Sequence, residues 1–456
     1  MTYHLLHLGC QMNQSDAERV SSVLENLGYS ATDNEEEADL LGVVACSVRQ
    51  KAIDRVYARI SAWNSWKNAR NILTFVTGCI LPADREKLVS LFDLLFDITE
   101  LPRLPDLIRQ YGVMTPIGAA TVIPQRSLED AEKGYWWIPA RHSSTFEAYV
   151  PIQNGCDKFC TFCAVPYTRG KEVSRPSTDI IAEVRDLVER GFASITLLGQ
   201  NVNSYGLDRP GEELRFAELL RAIGEMGEKS DREFWVYFTS PHPRDMTDEV
   251  LRVIASYRCL AKQIHLPLQS GDDKVLLRMN RTYEVDQYRR IVRAIRHILP
   301  RATLFTDIIV GFSGETEEQF ESTRRAMEEF SYNMAYIAEY SPRPGAASYR
   351  WTDDVPPAEK NRRLHVLNDQ LQKGALARHR AMIGSVVRVL VAGRDRKEGF
   401  LAGRTEGRLP LRFPSEDDGL IGKFVDVRVT SVAPLSLQGE LETALKATAT
   451  VEIPGR

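Results

Sequence analysis

Three short apolar runs near the amino terminus predict buried strands, and an amphipathic helical pattern follows each run. The runs lie at residues 3–8, 39–45 and 72–77. The helical patterns lie at 15–27, 48–66 and 85–92. Alternating strand and helix is typical of an open parallel sheet, so we expect a Rossmann-like or flavodoxin-like α/β domain over residues 1–115.

The middle of the chain repeats the strand and helix pattern. Six further apolar runs, with helical patterns in most of the gaps, lie at 147–152, 194–198, 234–239, 263–266, 304–310 and 334–339. Six such units predict a partial (β/α)6 barrel over residues 144–377. In barrels of this kind, the chemistry takes place at the carboxyl ends of the strands.

The pattern changes again toward the carboxyl terminus. Short alternating runs separated by glycine and charge lie at 386–391, 399–404, 409–413 and 424–431. They predict a small antiparallel β-barrel over residues 378–443, after which 444–456 would be a tail. Residues 116–143 are expected to link the first domain to the second.

Length and charge narrow the function. A chain of 456 residues suits two to four domains, and a net charge of -4 excludes a globally basic nucleic-acid binder. Residues 1–7 lack the charged start and apolar stretch of a signal peptide, and no apolar run approaches the length that spans a membrane. We therefore expect a cytoplasmic protein with no membrane partner.

One local basic segment stands out from this balance. Residues 378–412 hold nine basic residues against three acidic ones. A basic face on a small barrel suits contacts with a phosphate backbone, although an ordinary solvated charged face is the alternative. The basic residues are Arg378, Arg380, Arg388, Arg394, Arg396, Lys397, Arg404, Arg408 and Arg412.

Cys156, Cys160 and Cys163, the loop trio, form a C-x3-C-x2-C motif. The cytoplasm keeps thiols reduced, so these cysteines are interpreted as metal ligands rather than disulfides. Three ligands leave either a 4Fe-4S cluster with one open iron or a zinc site that needs a remote fourth ligand. His142 and Cys259 are the candidates for that fourth ligand.

Cys10, Cys46 and Cys79, the sheet-edge trio, each follow one of the three amino-terminal strand runs. The carboxyl ends of parallel strands meet at one edge of a sheet, so these distant cysteines can converge into a second three-thiol site. The alternative is three small buried apolar residues, a common role for free cysteine.

Polar or glycine-bearing segments follow several of the barrel strands, at 199–203, 240–243, 267–271 and 311–316. Together they favour a small-molecule pocket at the carboxyl edge of the barrel. Each also has a purely structural interpretation. Thr316 and Gln319 fit a helix capping box, Gly311 and Gly314 fit turns, and His242 and His265 fit structural histidines.

The loop trio resembles the signature of radical S-adenosylmethionine enzymes, and the sheet-edge trio with the last barrel resembles the methylthiotransferases among them. Four stretches resemble the MiaB-type branch that acts on tRNA. They are Gly-Cys-Gln-Met-Asn at 9–13, Cys-Ala-Val-Pro-Tyr-Thr-Arg-Gly at 163–170, Leu-Gly-Gln-Asn-Val-Asn-Ser-Tyr at 198–205 and Gly-Arg-Thr-Glu-Gly at 403–407.

This resemblance implies two 4Fe-4S clusters, one on each cysteine trio. It implies that S-adenosylmethionine is both the radical source and the methyl donor, in a pocket lined by Phe162, Gln200, Ser240 and Gln269. The implied reaction is methylthiolation of C2 of N6-isopentenyladenosine beside the anticodon, with sulfur delivered through the sheet-edge cluster. Phe159 would shield the cluster together with Phe162.

The resemblance also implies partners. A TRAM-like barrel carrying Arg404 and Arg408 would hold the anticodon stem-loop of tRNA. An electron donor such as flavodoxin or ferredoxin would supply electrons, and other proteins would deliver sulfur and clusters.

Two stretches depart from the family pattern. Val44-Ala45 stand where the family usually has Asn-Thr, and Ala346-Ala347-Ser348 stand where it usually has Thr-Pro-Ala. Two other interpretations remain open at this point. One is a methylthiotransferase for threonylcarbamoyladenosine tRNA or a ribosomal protein, and the other is an RNA-binding protein with structural clusters.

Overall fold

The computed structural model describes residues 1–110 and 135–442. The expected linker at 116–143 lies outside these residues up to position 134, and the expected tail at 444–456 lies wholly outside them. Within the described ranges, no helix combines the length and the apolar character needed to cross a membrane.

The amino-terminal domain is an open, five-stranded parallel sheet, as predicted. The strands run in the order β2-β1-β3-β4-β5 and comprise Thr2–Leu8 (β1), Ser30–Ala31 (β2), Leu40–Cys46 (β3), Leu73–Cys79 (β4) and Leu94–Leu95 (β5). The helices are Gln11–Asn26 (α1), Gln50–Trp66 (α2), Pro82–Leu88 (α3) and Leu104–Gln110 (α4). Every residue of β3 and β4 is buried, which explains their continuous apolar sequence.

Helix boundaries differ from the sequence predictions for local reasons. α1 begins four residues earlier than the predicted position 15 because Cys10 serves as its N-cap, with Asn13 bonding back to it. α3 begins at Pro82, where the fixed φ of proline suits the first turn of a helix. The chain after Cys46 first makes a turn, and α2 therefore starts two residues later than the predicted position 48.

The central domain is the predicted partial barrel. Its strands are Glu147–Pro151 (β6), Gln153–Asn154 (β7), Val173–Ser174 (β8), Ser194–Leu198 (β9), Trp235–Phe238 (β10), Gln263–His265 (β11), Thr303–Val310 (β12) and Met334–Glu339 (β13). β6, β9 and β10 form one parallel sheet and β11 to β13 another, and a bridge between Val236 and Leu260 connects the two. β7 and β8 pair separately as a small antiparallel ribbon.

Seven helices surround these strands. They are Val165–Arg169 (α5), Ser177–Glu189 (α6), Phe216–Glu228 (α7), Asp248–Ser256 (α8), Asp273–Arg278 (α9), Val285–Ile298 (α10) and Glu317–Phe330 (α11). α11 starts with the predicted capping box between Thr316 and Gln319.

The two faces of the barrel strands differ in character. Apolar residues such as Val150, Ile195 and Val236 pack in one large core with the helices. Because side chains alternate along a strand, the intervening residues point to the opposite, inner face. The inner residues of successive strands include Tyr149, Thr196, Tyr237, His265 and Asp307, so the inner face carries polar groups beside aromatic ones.

The carboxyl-terminal part consists of the long helix Pro357–Arg380 (α12) and a closed five-stranded barrel. The barrel order is β14-β15-β16-β18-β17, with strands Val386–Arg394 (β14), Phe400–Thr405 (β15), Pro410–Pro414 (β16), Phe424–Ala433 (β17) and Ser436–Leu441 (β18). The four predicted strands are present. β18 and α12 were not predicted, and the expected boundary at 378 falls inside α12.

The first and last domains both pack on the central one. Arg19 in α1 pairs with Glu183 in α6 at 3.3 Å, and Arg343, just after β13, donates to Gln50 at 2.8 Å. The amino-terminal domain therefore contacts the central domain next to both outer strands of the open barrel. The last barrel contacts the central domain at the amino-terminal ends of its strands, where Phe424 packs against Trp235 at the start of β10.

A buried ion pair holds α12 to the central domain. Glu315 accepts from Arg363 at 2.8 Å and from the Gly311 amide at 2.6 Å, and the Glu315 side chain is fully buried. Burial raises the pKa of Glu315, and Arg363 opposes that rise. The neighbouring Arg362 pairs with the exposed side chain of Glu317 instead.

Replacing Arg363 by Met should lower the free energy of unfolding by about 3–5 kcal/mol, because it leaves Glu315 buried without its cation. The matched change Arg362→Met should lower the free energy of unfolding by less than about 1 kcal/mol, since the ion pair of Arg362 with Glu317 is exposed to solvent. Urea unfolding followed by circular dichroism measures both changes. Equal losses in the two variants would contradict this account.

Candidate metal centres

The sheet-edge trio lies at the carboxyl ends of three neighbouring strands. Cys46 and Cys79 end β3 and β4 and are direct cross-strand partners, and Cys10 lies two residues beyond β1. Gly9 allows this approach, because a Cβ there would lie 2.9 Å from the Cβ of Cys46. Three thiols that are distant in sequence are thus neighbours at one edge of the sheet.

Asn13 connects the sheet-edge thiols. It is fully buried, its Oδ1 accepts from the Cys10 thiol at 3.4 Å, and its Nδ2 lies 3.9 Å from the sulfur of Cys79. The same Nδ2 donates to the Ala45 carbonyl at 3.0 Å. The Val44-Ala45 departure therefore leaves a backbone contact to Asn13 in place, while both side chains are buried in the apolar cores.

Arg169 links the sheet-edge trio to the central domain. Its Nε donates to the sulfur of Cys79 at 3.0 Å, and its Nη2 donates to Asp16 at 2.5 Å. Nη1 also contacts Tyr135 and Asn154. Because Arg169 ends the helix that follows Cys163, a short segment of chain connects the two cysteine trios.

Several backbone contacts brace the loop trio. Gln200 accepts from the Gly155 amide at 2.6 Å. Asn280 donates to the carbonyls of Lys158 and Phe159, and the Thr161 amide donates to Met279.

A second arginine approaches the loop trio. Arg281 is buried, and its Nη1 lies 3.3 Å from the sulfur of Cys160. Its other contacts are the Tyr283 hydroxyl and the Pro267 carbonyl. Each cysteine trio therefore has one buried arginine directed at one of its sulfurs.

The pKa is raised for four of the six thiols, whereas a hydrogen bond with Cys79 lowers the pKa of Cys46. Burial raises the pKa of Cys156 to about 11 and that of Cys163 to about 12. Burial also raises the pKa of Cys10, and hydrogen bonding with Cys46 together with burial raises that of Cys79. Metal binding at either trio would therefore release protons.

The arrangement of the thiols is only partly prepared for a metal. Among the residues that the structure describes, no three His, Cys, Asp or Glu side chains are gathered as a metal ion requires. Thiol donors without added imidazole or carboxylate are the set that iron–sulfur clusters use, so the donor chemistry of both trios fits such a cluster.

The two candidate fourth ligands for zinc lie elsewhere. His142 precedes β6, where its ring packs on Phe192 and its Nδ1 lies 3.4 Å from Glu18. Cys259 precedes β11 and is buried in the main core beside Gly227. Both lie at the amino-terminal edge of the strands, whereas the loop trio follows the carboxyl end of β6. Neither residue closes the loop trio.

Three of the four expected cofactor-pocket residues, Gln200, Ser240 and Gln269, follow strands of the barrel, and the fourth, Phe162, lies within the cysteine loop. Ser240 and Gln269 have φ angles of 56° and 70°, in a region that residues other than glycine rarely adopt. Such backbone strain clusters at functional sites. Gln200 holds the Gly155 amide, and Phe162 packs against a small apolar cluster that includes Phe312.

Unpaired buried acceptors mark the same edge of the barrel. Within the described residues, the buried oxygens Oδ1 of Asn201, Oε1 of Gln269 and Oγ of Ser313 have no hydrogen-bond partner. They follow β9, β11 and β12, and buried polar atoms are seldom left unpaired. This edge fits a ligand that carries amino and hydroxyl groups.

The two histidines differ in surroundings. Burial lowers the pKa of His242 to about 2, so its ring is neutral, and its Nδ1 accepts from the Arg244 amide. This agrees with a structural role. His265 lies on the inner face of the barrel and pairs with Asp307 at 2.9 Å.

The two expected RNA-binding arginines have different positions. Arg408 lies 4.0 Å from the centre of the Tyr237 ring and donates to Thr196 at 2.6 Å, so it fastens the last barrel to the central domain. Arg404 is exposed to solvent.

Most of the other basic residues of the segment are also engaged. Arg388, Arg394 and Arg412 pair with acidic side chains, and Lys397 lies over the Phe400 ring. Arg378 donates to the Ser331 hydroxyl. Among the described residues, Arg380, Arg396, Lys397 and Arg404 are the exposed members without an acidic partner.

Sequence reasoning did not identify Asp16, Asn13 or Arg281 as parts of the two centres. Asn13 does lie in the family motif at 9–13, just as Arg169 lies in the motif at 163–170. The motifs therefore contained these two residues without indicating their contacts. Asp16 and Arg281 lie in neither motif, and only the folded chain brings them to the cysteines.

Comparison with known proteins covers all three domains. A model described as the radical SAM superfamily matches residues 150–327, a model described as uncharacterized protein family UPF0004 matches residues 2–97, and a TRAM domain model matches residues 380–441. A solved structure of the radical S-adenosylmethionine methyltransferase TsrM from Kitasatospora setae has a TM-score of 0.55 at 13% identity, covering 88% of this chain and 80% of that chain. That likeness supports the fold.

Full-length relatives are closer in sequence. Proteins named tRNA-2-methylthio-N(6)-dimethylallyladenosine synthase from Cronobacter sakazakii and Photorhabdus laumondii are each 37% identical to this chain. The alignments cover 96% and 95% of this chain and 92% and 90% of those relatives. A protein of the same name from Yersinia pestis is 38% identical over 96% of this chain and 92% of its own length. The chain therefore belongs to the family of tRNA-2-methylthio-N(6)-dimethylallyladenosine synthases, within the radical SAM superfamily.

Proposed function

We propose that this protein methylthiolates C2 of N6-isopentenyladenosine beside the anticodon of tRNA, with S-adenosylmethionine as radical source and methyl donor. The observation that carries the proposal is the pair of cysteine trios connected through Arg169, whose Nε lies 3.0 Å from the sulfur of Cys79. One centre can start a radical on the substrate and the other can supply sulfur only if both reach the same base.

The cysteines are assigned as ligands, with a 4Fe-4S cluster on each trio. When bound, the loop-trio cluster and S-adenosylmethionine supply a 5′-deoxyadenosyl radical, and the sheet-edge cluster supplies a methylated sulfur. An unactivated aromatic C–H bond resists removal as a proton, which is why radical chemistry suits this substrate.

The protein's own residues bind and orient the cofactor. The unpaired oxygens of Asn201, Gln269 and Ser313 are suited to accept hydrogen bonds from its amino and hydroxyl groups. Phe162 and the apolar cluster around Phe312 would keep water from the same edge. Gln200 acts on the loop itself, since its side chain already holds the Gly155 amide.

The modified base would enter the barrel beside His265 and Asp307, which pair on the inner face and are partly exposed. The last barrel would hold the anticodon stem-loop through its free basic residues, with Arg404 as an exposed contact. Arg408 holds the last barrel on the central domain through its contacts with Tyr237 and Thr196. The setting is the cytoplasm, with a low-potential electron donor such as flavodoxin or ferredoxin and with sulfur and cluster delivery proteins.

Anaerobically reconstituted protein should hold about eight irons per chain, because two trios each fit a four-iron cluster. Replacing Cys156, Cys160 and Cys163 together by Ala should leave about four irons. Iron and zinc analysis of the purified protein measures both numbers. About one zinc per chain with little iron would contradict the cluster assignment.

Replacing Cys46 by Ala should spare reductive cleavage of S-adenosylmethionine but abolish the methylthio product, because only the sulfur-donating centre is lost. Cys160→Ala should abolish both. Mass spectrometry of 5′-deoxyadenosine and of tRNA nucleosides in one reaction measures the two outcomes.

Cys259→Ala is the matched control for these variants, since Cys259 is buried in the core away from both trios and should retain both activities. Folding is checked by circular dichroism. A folded Cys46→Ala protein that makes product at the normal rate would refute the sulfur-donor role. A product on threonylcarbamoyladenosine tRNA or on a ribosomal protein would correct the substrate, and cluster binding without cofactor cleavage would indicate a structural role.

Replacing Arg404 by Ala should weaken tRNA binding several-fold at low salt. It should also reduce the slope of log affinity against log salt concentration by about one, which is the share of a single phosphate contact. Arg394→Ala is the matched control, because Arg394 lies in the same barrel but is already paired with Asp418. Filter binding at several salt concentrations measures both effects. Equal losses in the two variants would argue against a specific phosphate contact at Arg404.

A further inference from the structure

Both cysteine trios have a buried arginine beside one sulfur, but the two arginines differ in charge compensation. Arg169 donates to Cys79 and at the same time to Asp16, whose side chain is fully buried. Arg281 donates to Cys160, to the Tyr283 hydroxyl and to the Pro267 carbonyl, and none of these partners carries a formal charge opposite to it except a ligating thiolate.

The remaining charges around the two centres do not remove this difference. Near the loop trio, Lys158 pairs with Asp245 at 2.7 Å, and Glu172 is turned to Ser204, from which it accepts a hydrogen bond at 2.5 Å. Asp157 is exposed and therefore screened by solvent. His242 faces Arg281 but is neutral, because burial lowers its pKa to about 2.

Near the sheet-edge trio, Arg49 also acts on Cys46, but it is exposed and therefore screened by solvent. The arginine that contacts a sulfur is thus paired with a carboxylate at the sheet-edge trio and has no carboxylate partner at the loop trio.

Local charge and hydrogen bonds to sulfur set the reduction potential of an iron–sulfur cluster. A buried cation favours the reduced form, because that form carries one more negative charge. A carboxylate next to the cation removes most of this effect. The reduction considered is the gain of one electron by an oxidised 4Fe-4S cluster, supplied by a one-electron donor such as dithionite, with no bond made or broken.

We propose that Arg281 and the Arg169–Asp16 pair make the loop-trio cluster the more easily reduced of the two, so that an incoming electron goes to the centre that cleaves S-adenosylmethionine. This inference rests on the proposed function and adds to it a division of redox roles. Arg281 and Asp16 are positioning residues in this account, since they act on the clusters through the cysteine sulfurs.

The test uses full-length protein in which one trio is replaced by Ala, leaving a single cluster. Each protein is titrated with dithionite in the absence of S-adenosylmethionine, and the reduced cluster is counted by electron paramagnetic resonance. The loop-trio cluster should have the higher midpoint potential. Arg281→Gln should lower its ratio of reduced to oxidised cluster at least about tenfold at a fixed potential, a shift of about 59 mV for one electron.

Three further variants keep the test decisive. Asp16→Asn should raise the midpoint of the sheet-edge cluster, because Arg169 is then uncompensated. Arg281→Lys should restore most of the loop-trio midpoint by returning the charge. Arg175→Gln is the matched control, since Arg175 is a buried arginine that pairs with Glu183 and should shift neither cluster.

Iron content is measured for every variant, so that a lost cluster is not mistaken for a shifted one. Midpoints that are unchanged in Arg281→Gln and Asp16→Asn, or a sheet-edge cluster that is reduced first, would overturn the inference while leaving the proposed function intact. Protein that binds no iron at either trio would overturn the proposed function, and the inference with it.

Discussion

The Arg169–Asp16 ion pair is the buried contact on which the arrangement of the two cysteine-bearing domains depends. It joins the helix after the cysteine loop to the first helix of the amino-terminal domain, and both side chains are almost completely buried. Removing either partner would leave an uncompensated charge in the interior, which costs about 3–5 kcal/mol. The pair therefore acts together with the Arg19–Glu183 and Arg343–Gln50 contacts to hold the two domains in one orientation.

This fixed orientation determines what the two cysteine trios can do together. The amino-terminal sheet presents its thiols at the edge where its strands end, and the central barrel presents its own thiols at the corresponding edge. The pair of arginine and aspartate connects these edges, with Tyr135 and Asn154 satisfying the remaining hydrogen bonds of Arg169. Arg169 thus lies against the sheet-edge thiols while belonging to the helix that follows the cysteine loop.

The sequence predicted the parts of this architecture that depend on local pattern. Strands such as β9 and β12 were located because apolar runs mark buried parallel strands, and the six cysteines could be assigned as candidate ligands because their spacing and position are visible in the chain. The motif at 163–170 included Arg169 but gave no indication of its partner.

The features that were missed depend on tertiary contacts. α12 is largely polar and buries only a narrow stripe, including Leu367 and Leu371, so it lacks a strong amphipathic pattern. β18 contains Gly439 and two exposed polar residues, which weaken its strand signal.

Arg408 illustrates the same limit for the candidate sites. It was expected to contact phosphate from its motif, yet it lies over Tyr237, because the last barrel packs directly on the central domain. No local pattern records how two domains dock. Residues in one motif, such as Arg404 and Arg408, can therefore have quite different roles.

The unpaired acceptors at the carboxyl edge of the barrel have a thermodynamic consequence. A buried polar atom without a partner costs roughly 1–3 kcal/mol, and Asn201, Gln269 and Ser313 each have one. A ligand that supplies the missing donors would relieve this cost only in the folded protein. Binding and folding are then linked equilibria, and the bound ligand becomes part of what keeps the domain folded.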